Sequence, residues 1–122
     1  MKVPVKHVEK PWGRETIWAE CGSYAGKTLF VKAGESLSLQ YHREKEETLH
    51  LISGRVRFWI GTSAGAMRDL DLIPGESVHL VPGTLHRIEA LADSVLLEVS
   101  TPHLHDVVRL EDRYGRIPSG ET

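Results

Sequence analysis

With 122 residues, the chain has room for one domain, because domains usually contain roughly 100–150 residues and a second hydrophobic core would not fit. Hydrophobic residues make up 40% and charged residues 26% of the chain, a composition that excludes a mainly disordered protein. The net charge of −2, without a basic cluster, excludes a dedicated nucleic-acid binder, since phosphate neutralisation requires clustered Lys and Arg.

Cysteine content and hydropathy bear on the compartment. Cys21 is the only cysteine, so an intrachain disulfide is impossible, and we expect this residue to be a semi-buried small apolar side chain. Residues 1–13 lack an apolar run of signal-peptide length, and no stretch approaches the roughly 20 apolar residues of a transmembrane helix. These features predict a cytoplasmic protein that does not associate with membranes.

Short strand-like runs, separated by Gly, Pro, Ser or Asp, follow one another along the chain. Nine strands are predicted, at residues 15–19, 27–31, 37–42, 48–53, 56–60, 69–73, 77–81, 86–90 and 95–100. Glycines such as Gly54 and Gly75 mark the turns, and the small residues at 61–67 predict a flexible loop. Nine short strands with little room for helices predict an all-β barrel or sandwich.

The C-terminal part of the sequence differs from the rest. We expect a single domain over residues 1–122, with a core barrel at about 15–101 and a tail at 102–122. The β-type alternation stops after residue 102, and residues 106–114 predict a short helix or an ordered wrap over the barrel. The last residues, 118–122, are expected to be frayed.

Four scattered side chains suit a metal ion. Gln40 and His42 lie two residues apart on one strand and therefore point the same way. Glu47 follows after a short turn, and His86 comes from a distant hairpin. Two nitrogens and one or two oxygens bind zinc, iron or manganese and leave coordination positions for water or substrate.

The remaining histidines fit ordinary surface roles better. His7, His50 and His79 are expected to be exposed or hydrogen-bonded, because a lone histidine at a strand end is seldom a ligand. His103 and His105 have strand-like spacing but no third partner, so we interpret them as part of an exposed segment rather than as a second metal site.

Two segments resemble the motifs of the cupin superfamily. Gly34, His42, Glu47 and Gly54 resemble the first motif, and Gly75, Gly83 and His86 resemble the second. Val81 and Ala90 depart from the second motif, and Gln40 stands where many cupins have a first histidine. Gln-x-His is similar to the arrangement in phosphomannose isomerases, whose zinc ligands include glutamine, histidine, glutamate and histidine.

The resemblance extends beyond these ligands. Residues 10–13, 31–40 and 107–116 resemble the C-terminal cupin domain of type II mannose-6-phosphate isomerase, of the mannose-1-phosphate guanylyltransferase/phosphomannose isomerase family. This resemblance implies a double-stranded β-helix, or jelly-roll, fold and a homodimer. It also implies one divalent metal ion, zinc first, with manganese, iron, nickel or cobalt as alternatives. A guanylyltransferase domain cannot be encoded in 122 residues, so that activity is expected to be absent.

The resemblance implies isomerisation of mannose 6-phosphate to fructose 6-phosphate, in which a metal polarises the sugar oxygens during enediol formation. Glu98, on a late strand, is the candidate base, with an outer-face charge as the alternative. Lys32, Arg109 and Arg116 are the candidate ligands of the substrate phosphate. In the other interpretation, the charges of the tail pair with one another on the surface.

Two other functions remain open. An iron-dependent cupin oxygenase would use His42, Glu47 and His86 as iron ligands. Gln40 would then contact these ligands without binding the iron itself. A carbohydrate-binding or sensing cupin that keeps the barrel and the metal but has lost the base is the other alternative. Gln40 and the tail favour the isomerase, while the uncertain base weakens it against the binding module.

Overall fold

The computed structural model describes residues 1–116, so the frayed end expected at 118–122 lies outside the described residues. Within that range the chain forms eleven strands and one short 3₁₀ helix at Ala64–Ala66. The strands are β1 (Lys6–Lys10), β2 (Gly13–Glu20), β3 (Ala25–Val31), β4 (Leu39–Tyr41), β5 (Glu47–Ser53), β6 (Val56–Gly61), β7 (Met67–Leu72), β8 (Ser77–Leu80), β9 (Leu85–Ala90), β10 (Ser94–Ser100) and β11 (Val108–Glu111). All nine expected strands are present, and the all-β prediction is confirmed.

The strands form two antiparallel sheets that share one hydrophobic core. One sheet has the order β1-β2-β3-β10-β5-β8, and the other has the order β11-β4-β9-β6-β7. Leu51 and Leu96 from the first sheet and Phe58 from the second are completely buried in this core. Burying such a side chain contributes about 1.5–3 kcal/mol, so the alternating apolar residues hold the two sheets together. The arrangement is the jelly-roll expected from the cupin resemblance.

Two strands lie outside the barrel range of 15–101 expected from sequence. β1 pairs with β2, and β11 pairs with β4 in the segment where a helix was one expectation. The helical alternative is wrong over the described residues, because Val108 inserts into the core at 1% exposure and β11 supplies hydrogen-bond partners for the edge of β4.

The fold also shows where Trp12 and Cys21 lie. Trp12 is a core residue with 3% exposure. Cys21 is exposed, so the expectation of a semi-buried thiol is wrong: it lies in the turn between β2 and β3, outside both sheets. No helix within residues 1–116 is long and apolar enough to cross a membrane.

Candidate metal centre

Three buried side chains converge between the two sheets. Nε2 of His42 lies 3.6 Å from Oε2 of Glu47, and Nε2 of His86 lies 3.5 Å from Oε1 of the same carboxylate. The centres of the two imidazole rings are 5.2 Å apart. One ligand atom of each residue lies within 4.8 Å of the others, which is the only such group of His, Cys, Asp or Glu found in the described part of the chain.

The strands bring these residues together from distant parts of the sequence. His42 directly follows β4, Glu47 begins β5, and His86 is the second residue of β9. β4 and β9 are hydrogen-bonded neighbours, and Gln40 lies opposite His86 in their register. The three ligand candidates are each no more than 5% exposed, so the inward phase of each strand places them in a desolvated pocket.

The hydrogen bonds of the two imidazoles leave their inner nitrogens bare. Nδ1 of His42 donates to the carbonyl oxygen of Asp106, and Nδ1 of His86 donates to that of Thr84 at 3.0 Å. With the proton on Nδ1, each Nε2 presents a lone pair toward Glu47. Nε2 of His42 is buried without a hydrogen-bond partner among the described residues. A bare imidazole nitrogen in this arrangement fits a cation, because metal-bound histidines typically donate their other N–H to a carbonyl.

Gln40 lines the same cavity as His42. Its side-chain oxygen accepts a 2.6 Å hydrogen bond from the hydroxyl of Ser38, a fully buried residue. Gln40 and His42 therefore face the same cavity, as their spacing of two residues along the chain predicts. Its role as a fourth ligand stays a prediction.

Lys45 is a site residue that the sequence analysis missed. This lysine is 4% exposed, and its Nζ lies 2.8 Å from Oε2 of Glu47 and 2.9 Å from Oε2 of Glu98. Burial alone would lower the pKa of Lys45, but the two carboxylates raise it above its ordinary value. The charged run at residues 43–47 is typical of a solvated loop. The one signal for an inward lysine was its position two residues before Glu47, a candidate ligand.

Glu98 faces the interior, so the outer-face alternative is wrong. It is 5% exposed and lies 3.6 Å from Nζ of Lys27, its register partner on β3. Lys27 is also buried and pairs with Glu15 on β2. Lys27 shares the inward phase of Leu29, a signal that was present in the sequence. Glu15, Lys27, Glu98 and Lys45 thus form a continuous chain of alternating charges that ends at Glu47.

The electrostatics of the centre separate the two carboxyl groups. Burial raises the pKa of Glu98, and the negative charge of Glu47 raises it further, against the opposing effect of Lys27 and Lys45. Burial also acts to raise the pKa of Glu47, but the ammonium of Lys45 helps to hold it below its ordinary value. Desolvation lowers the pKa of His86. Glu47 is therefore ionised beside neutral His86, which is the protonation state that a metal ligand set requires.

A cavity of about 300 Å³ opens onto this charge chain and onto His42. Cationic side chains are in excess over carboxylates on its wall, namely those of Lys6, Lys10, Lys27, Lys45, Arg109 and Arg116 against those of Glu15, Glu20 and Glu98. Such a wall favours an anionic ligand.

The structure brings two of the three expected phosphate ligands to this cavity. Nε of Arg109 is buried without a hydrogen-bond partner in the described range. Arg116 lines the same cavity but forms a bidentate ion pair with Asp112, with hydrogen bonds of 2.9 and 3.0 Å. This pair agrees with the other interpretation of the tail, in which its charges pair with one another. Lys32 is exposed and lines a separate cavity beside Phe30 and Asp93, away from the metal candidates.

The other histidines lie near the surface, as expected, and four of them form side-chain hydrogen bonds. His7 contacts Thr16, His50 contacts Ser77, and His79 contacts Glu46. His103 contacts Thr101, and His105 is exposed. Neither tail histidine belongs to the metal-capable group found in residues 1–116.

Comparison with known proteins agrees with this architecture. Residues 2–112 match the model of the family described as mannose-6-phosphate isomerase C-terminal. The chain belongs to this family. Among its relatives, the mannose-1-phosphate guanylyltransferase ManC of Salmonella typhimurium is 32% identical over 117 residues, covering 92% of this chain and 23% of the relative. The chain therefore spans about a quarter of the length of the curated relatives it matches.

Solved cupin structures show the same fold. The oxalate decarboxylase of Bacillus subtilis, a protein with Mn(II) centers, superposes with a TM-score of 0.74 at 22% identity, covering 86% of this chain and 30% of that one. KdgF from Halomonas sp. superposes with a TM-score of 0.65 at 18% identity, covering 83% of this chain and 87% of that one. At these identities the likeness concerns the fold alone.

Proposed function

We propose that the chain is a metal-dependent sugar-phosphate isomerase of the mannose-6-phosphate type. The observation that carries this proposal is the buried group of His42, Glu47 and His86, with two bare imidazole nitrogens facing an ionised carboxylate. Membership of the mannose-6-phosphate isomerase C-terminal family supports the sugar substrate.

These three residues, with Gln40 as the fourth, would hold one divalent cation. Imidazole, carboxylate and amide oxygen suit zinc first, and also manganese, iron, cobalt or nickel. The Mn(II) centers of the oxalate decarboxylase make manganese a specific alternative. A bound cation would supply Lewis-acid polarisation of the sugar oxygens at C1 and C2.

The cavity supplies the groups that an aldose phosphate requires. Arg109 is the leading phosphate ligand, because its buried Nε lacks a partner among the described residues and a guanidinium matches the geometry of phosphate oxygens. Arg116 could contribute after exchanging Asp112 for the substrate. Lys10 lies on the same wall, on the strand that the sequence analysis did not predict.

Glu98 is the candidate base. In the isomerisation, a carboxylate oxygen of Glu98 takes the proton from C2 and returns it to C1, while the hydroxyl proton moves from the C2 oxygen to the C1 oxygen. A raised pKa brings a carboxyl group closer to the operating pH and makes it a better proton acceptor. Lys27 and Lys45 hold the carboxylate in place during both transfers.

Two observations favour other functions. The group of two histidines and one carboxylate matches the ligand set of non-haem iron oxygenases. The ion pairs that hold Glu98 between two lysines also suit a binding or sensing module in which this carboxylate never moves a proton.

Metal analysis and a turnover assay distinguish these functions. We expect protein purified without added metal to contain one divalent ion per chain and to convert mannose 6-phosphate into fructose 6-phosphate. Glu98→Gln should lower kcat by about 100-fold or more while metal content is retained, since general-base catalysis contributes roughly that much. Bound iron with oxygen uptake would identify the oxygenase instead, and bound metal without turnover of any sugar phosphate would identify the binding module.

A pair of histidine variants tests the site itself. His86→Ala should remove most of the bound metal, because the variant loses a buried ligand. The matched control, His79→Ala, removes an exposed histidine that is hydrogen-bonded to Glu46 and should leave the stoichiometry unchanged. Equal metal content in both variants would show that the cation binds elsewhere. His86→Gln serves if the alanine variant does not fold.

Self-association is a separate proposal that rests on the family resemblance. We propose that two copies of the chain form a homodimer. Light scattering coupled to size-exclusion chromatography should give twice the mass of one chain.

A further inference from the structure

Asp106 contacts the candidate metal centre through both its main chain and its side chain. Its carbonyl oxygen accepts the hydrogen bond from Nδ1 of His42. Its carboxylate accepts hydrogen bonds from three successive backbone amides, those of Arg43 at 3.1 Å, Glu44 at 2.7 Å and Lys45 at 3.0 Å. A single residue of the segment before β11 is therefore bonded to almost every residue between two candidate ligands.

These bonds act on the part of the chain that sets the ligand geometry. His42 and Glu47 are joined by the β4–β5 loop (residues 43–46), which also carries Lys45. Fixing the backbone of one residue costs roughly 1–2 kcal/mol in conformational entropy, so a loop without these bonds would sample many separations between the two ligands. The three amides satisfy one carboxylate, and the pKa of Asp106 is lowered because these donors outweigh the effect of burial.

We propose that Asp106 is a positioning residue of the metal centre, whose carbonyl oxygen sets the tautomer of His42 and whose carboxylate fixes the spacing between His42 and Glu47. The inference rests on the proposed function, because it takes these residues to be the ligands of a cation. Groups that orient metal ligands typically contribute 10–100-fold to metal affinity. The sequence resemblance did not single out this residue.

The test compares two variants with a matched control. Asp106→Ala removes all side-chain acceptors, and Asp106→Asn retains one oxygen. The control is Asp93→Asn, because Asp93 also accepts a backbone amide hydrogen bond, from Ala33 at 2.9 Å, in a turn that contacts none of the three ligands. Zn²⁺ affinity is measured by competition calorimetry, and Co²⁺ is added as a spectroscopic probe of ligand geometry.

We expect Asp106→Ala to weaken Zn²⁺ binding by at least tenfold and to change the visible spectrum of bound Co²⁺. Asp106→Asn should give an intermediate loss, and Asp93→Asn should bind as the wild type does. In the metal-free protein, ¹⁵N chemical shifts of the imidazoles should show His42 protonated on Nδ1 in the wild type. Asp106→Ala keeps the carbonyl oxygen but loses the carboxylate that anchors it beside His42, so this variant should show a mixture of tautomers. A role in folding alone would lower thermal stability without changing these three quantities.

The outcomes separate this inference from the proposed function. Zn²⁺ affinity within twofold of wild type in a folded Asp106 variant, with an unchanged His42 tautomer, overturns the positioning role; if the alanine variant does not fold, Asp106→Asn decides. A wild type that binds Zn²⁺ but does not isomerise sugar phosphates, while the Asp106 variants bind it weakly, overturns the isomerase and supports the positioning role. A wild type that binds no divalent metal overturns both.

Discussion

Lys45 places a buried ammonium between two buried carboxylates, Glu47 and Glu98. Removing one partner of a buried ion pair leaves a charge without compensation, which typically costs about 3–5 kcal/mol. Lys45→Met should therefore lower the free energy of unfolding of the metal-free protein by about that amount in urea titrations. Adding Glu98→Gln should recover part of the loss, because one of the two stranded charges is removed.

The control for this cycle is Lys6→Met. Lys6 pairs with Glu20 at 3.8 Å, but 69% of its side chain is exposed, and exposed ion pairs contribute about 0–1 kcal/mol. If Lys45→Met is no more destabilising than Lys6→Met, the buried charge chain does not stabilise the fold.

Glu15 gives the charge chain a measurable pH dependence. Burial tends to raise the pKa of Glu15, but Lys27 and Lys10 lower it below the ordinary value of 4.5. A carboxyl with a lowered pKa contributes stability that is fully present above its unfolded pKa and is lost as the pH falls through the folded pKa. Glu15→Gln should therefore be less stable than wild type at pH 7 and should lose less stability as the pH falls below 4.5.

Chemical denaturation between pH 2.5 and 7 measures this difference. The matched control is Glu9→Gln, which removes an exposed carboxylate from the neighbouring strand β1. Parallel acid limbs for wild type and Glu15→Gln would contradict the assignment.

At the scale of elements, the turn between β5 and β6 constrains the barrel more tightly than the turn that contains Gly34. Gly54 has φ +90°, and an added Cβ would lie 2.3 Å from Oγ of Ser94 and 2.4 Å from the carbonyl oxygen of Asp93. Gly34 has a similar φ of +82°, but an added Cβ there meets nothing within 4 Å. Gly34→Ala should cost about 1–2 kcal/mol for the left-handed backbone alone, and Gly54→Ala should cost clearly more because backbone must move. Thermal unfolding of both variants measures which substitution destabilises the protein more. An equal loss of stability in the two variants would contradict the prediction.

The same turns explain why the strands were predictable from sequence. Glycines with positive φ lie in turns between strands. Within a strand, buried residues such as Leu49 and Leu51 recur at every second position, and this period can be read directly from the sequence. β1 and β11 were missed, whereas the other two edge strands, β7 and β8, were predicted. The residues of β1, KHVEK, carry little apolar alternation, and β11 is defined by the neighbour it finds in the folded sheet. Such pairing depends on tertiary contacts that local patterns do not contain.

At the scale of the whole molecule, the candidate site was partly predictable. The spacing of His42, Glu47 and His86 was visible because each lies on the inward phase of a strand end. The roles of Lys45 and Asp106 were not predictable. They depend on contacts that form only when the β4–β5 loop packs against the segment before β11. Lys32 is the opposite case. It was predicted to bind the substrate phosphate because it lies in a segment that resembles the family, but the fold places it in another cavity.

Metal binding should stabilise the whole domain, because the ligands come from β4, β5 and β9 and separate on unfolding. A ligand that binds only the folded state at 100 times its Kd raises the free energy of unfolding by about 2.7 kcal/mol. For a domain of this size, that corresponds to a rise in Tm of about 10 °C. Calorimetry should show the rise for wild type with Zn²⁺ and its absence for His86→Ala. An equal rise in both proteins would place the bound ion outside the buried centre, since only this centre requires β9 to stay paired with β4.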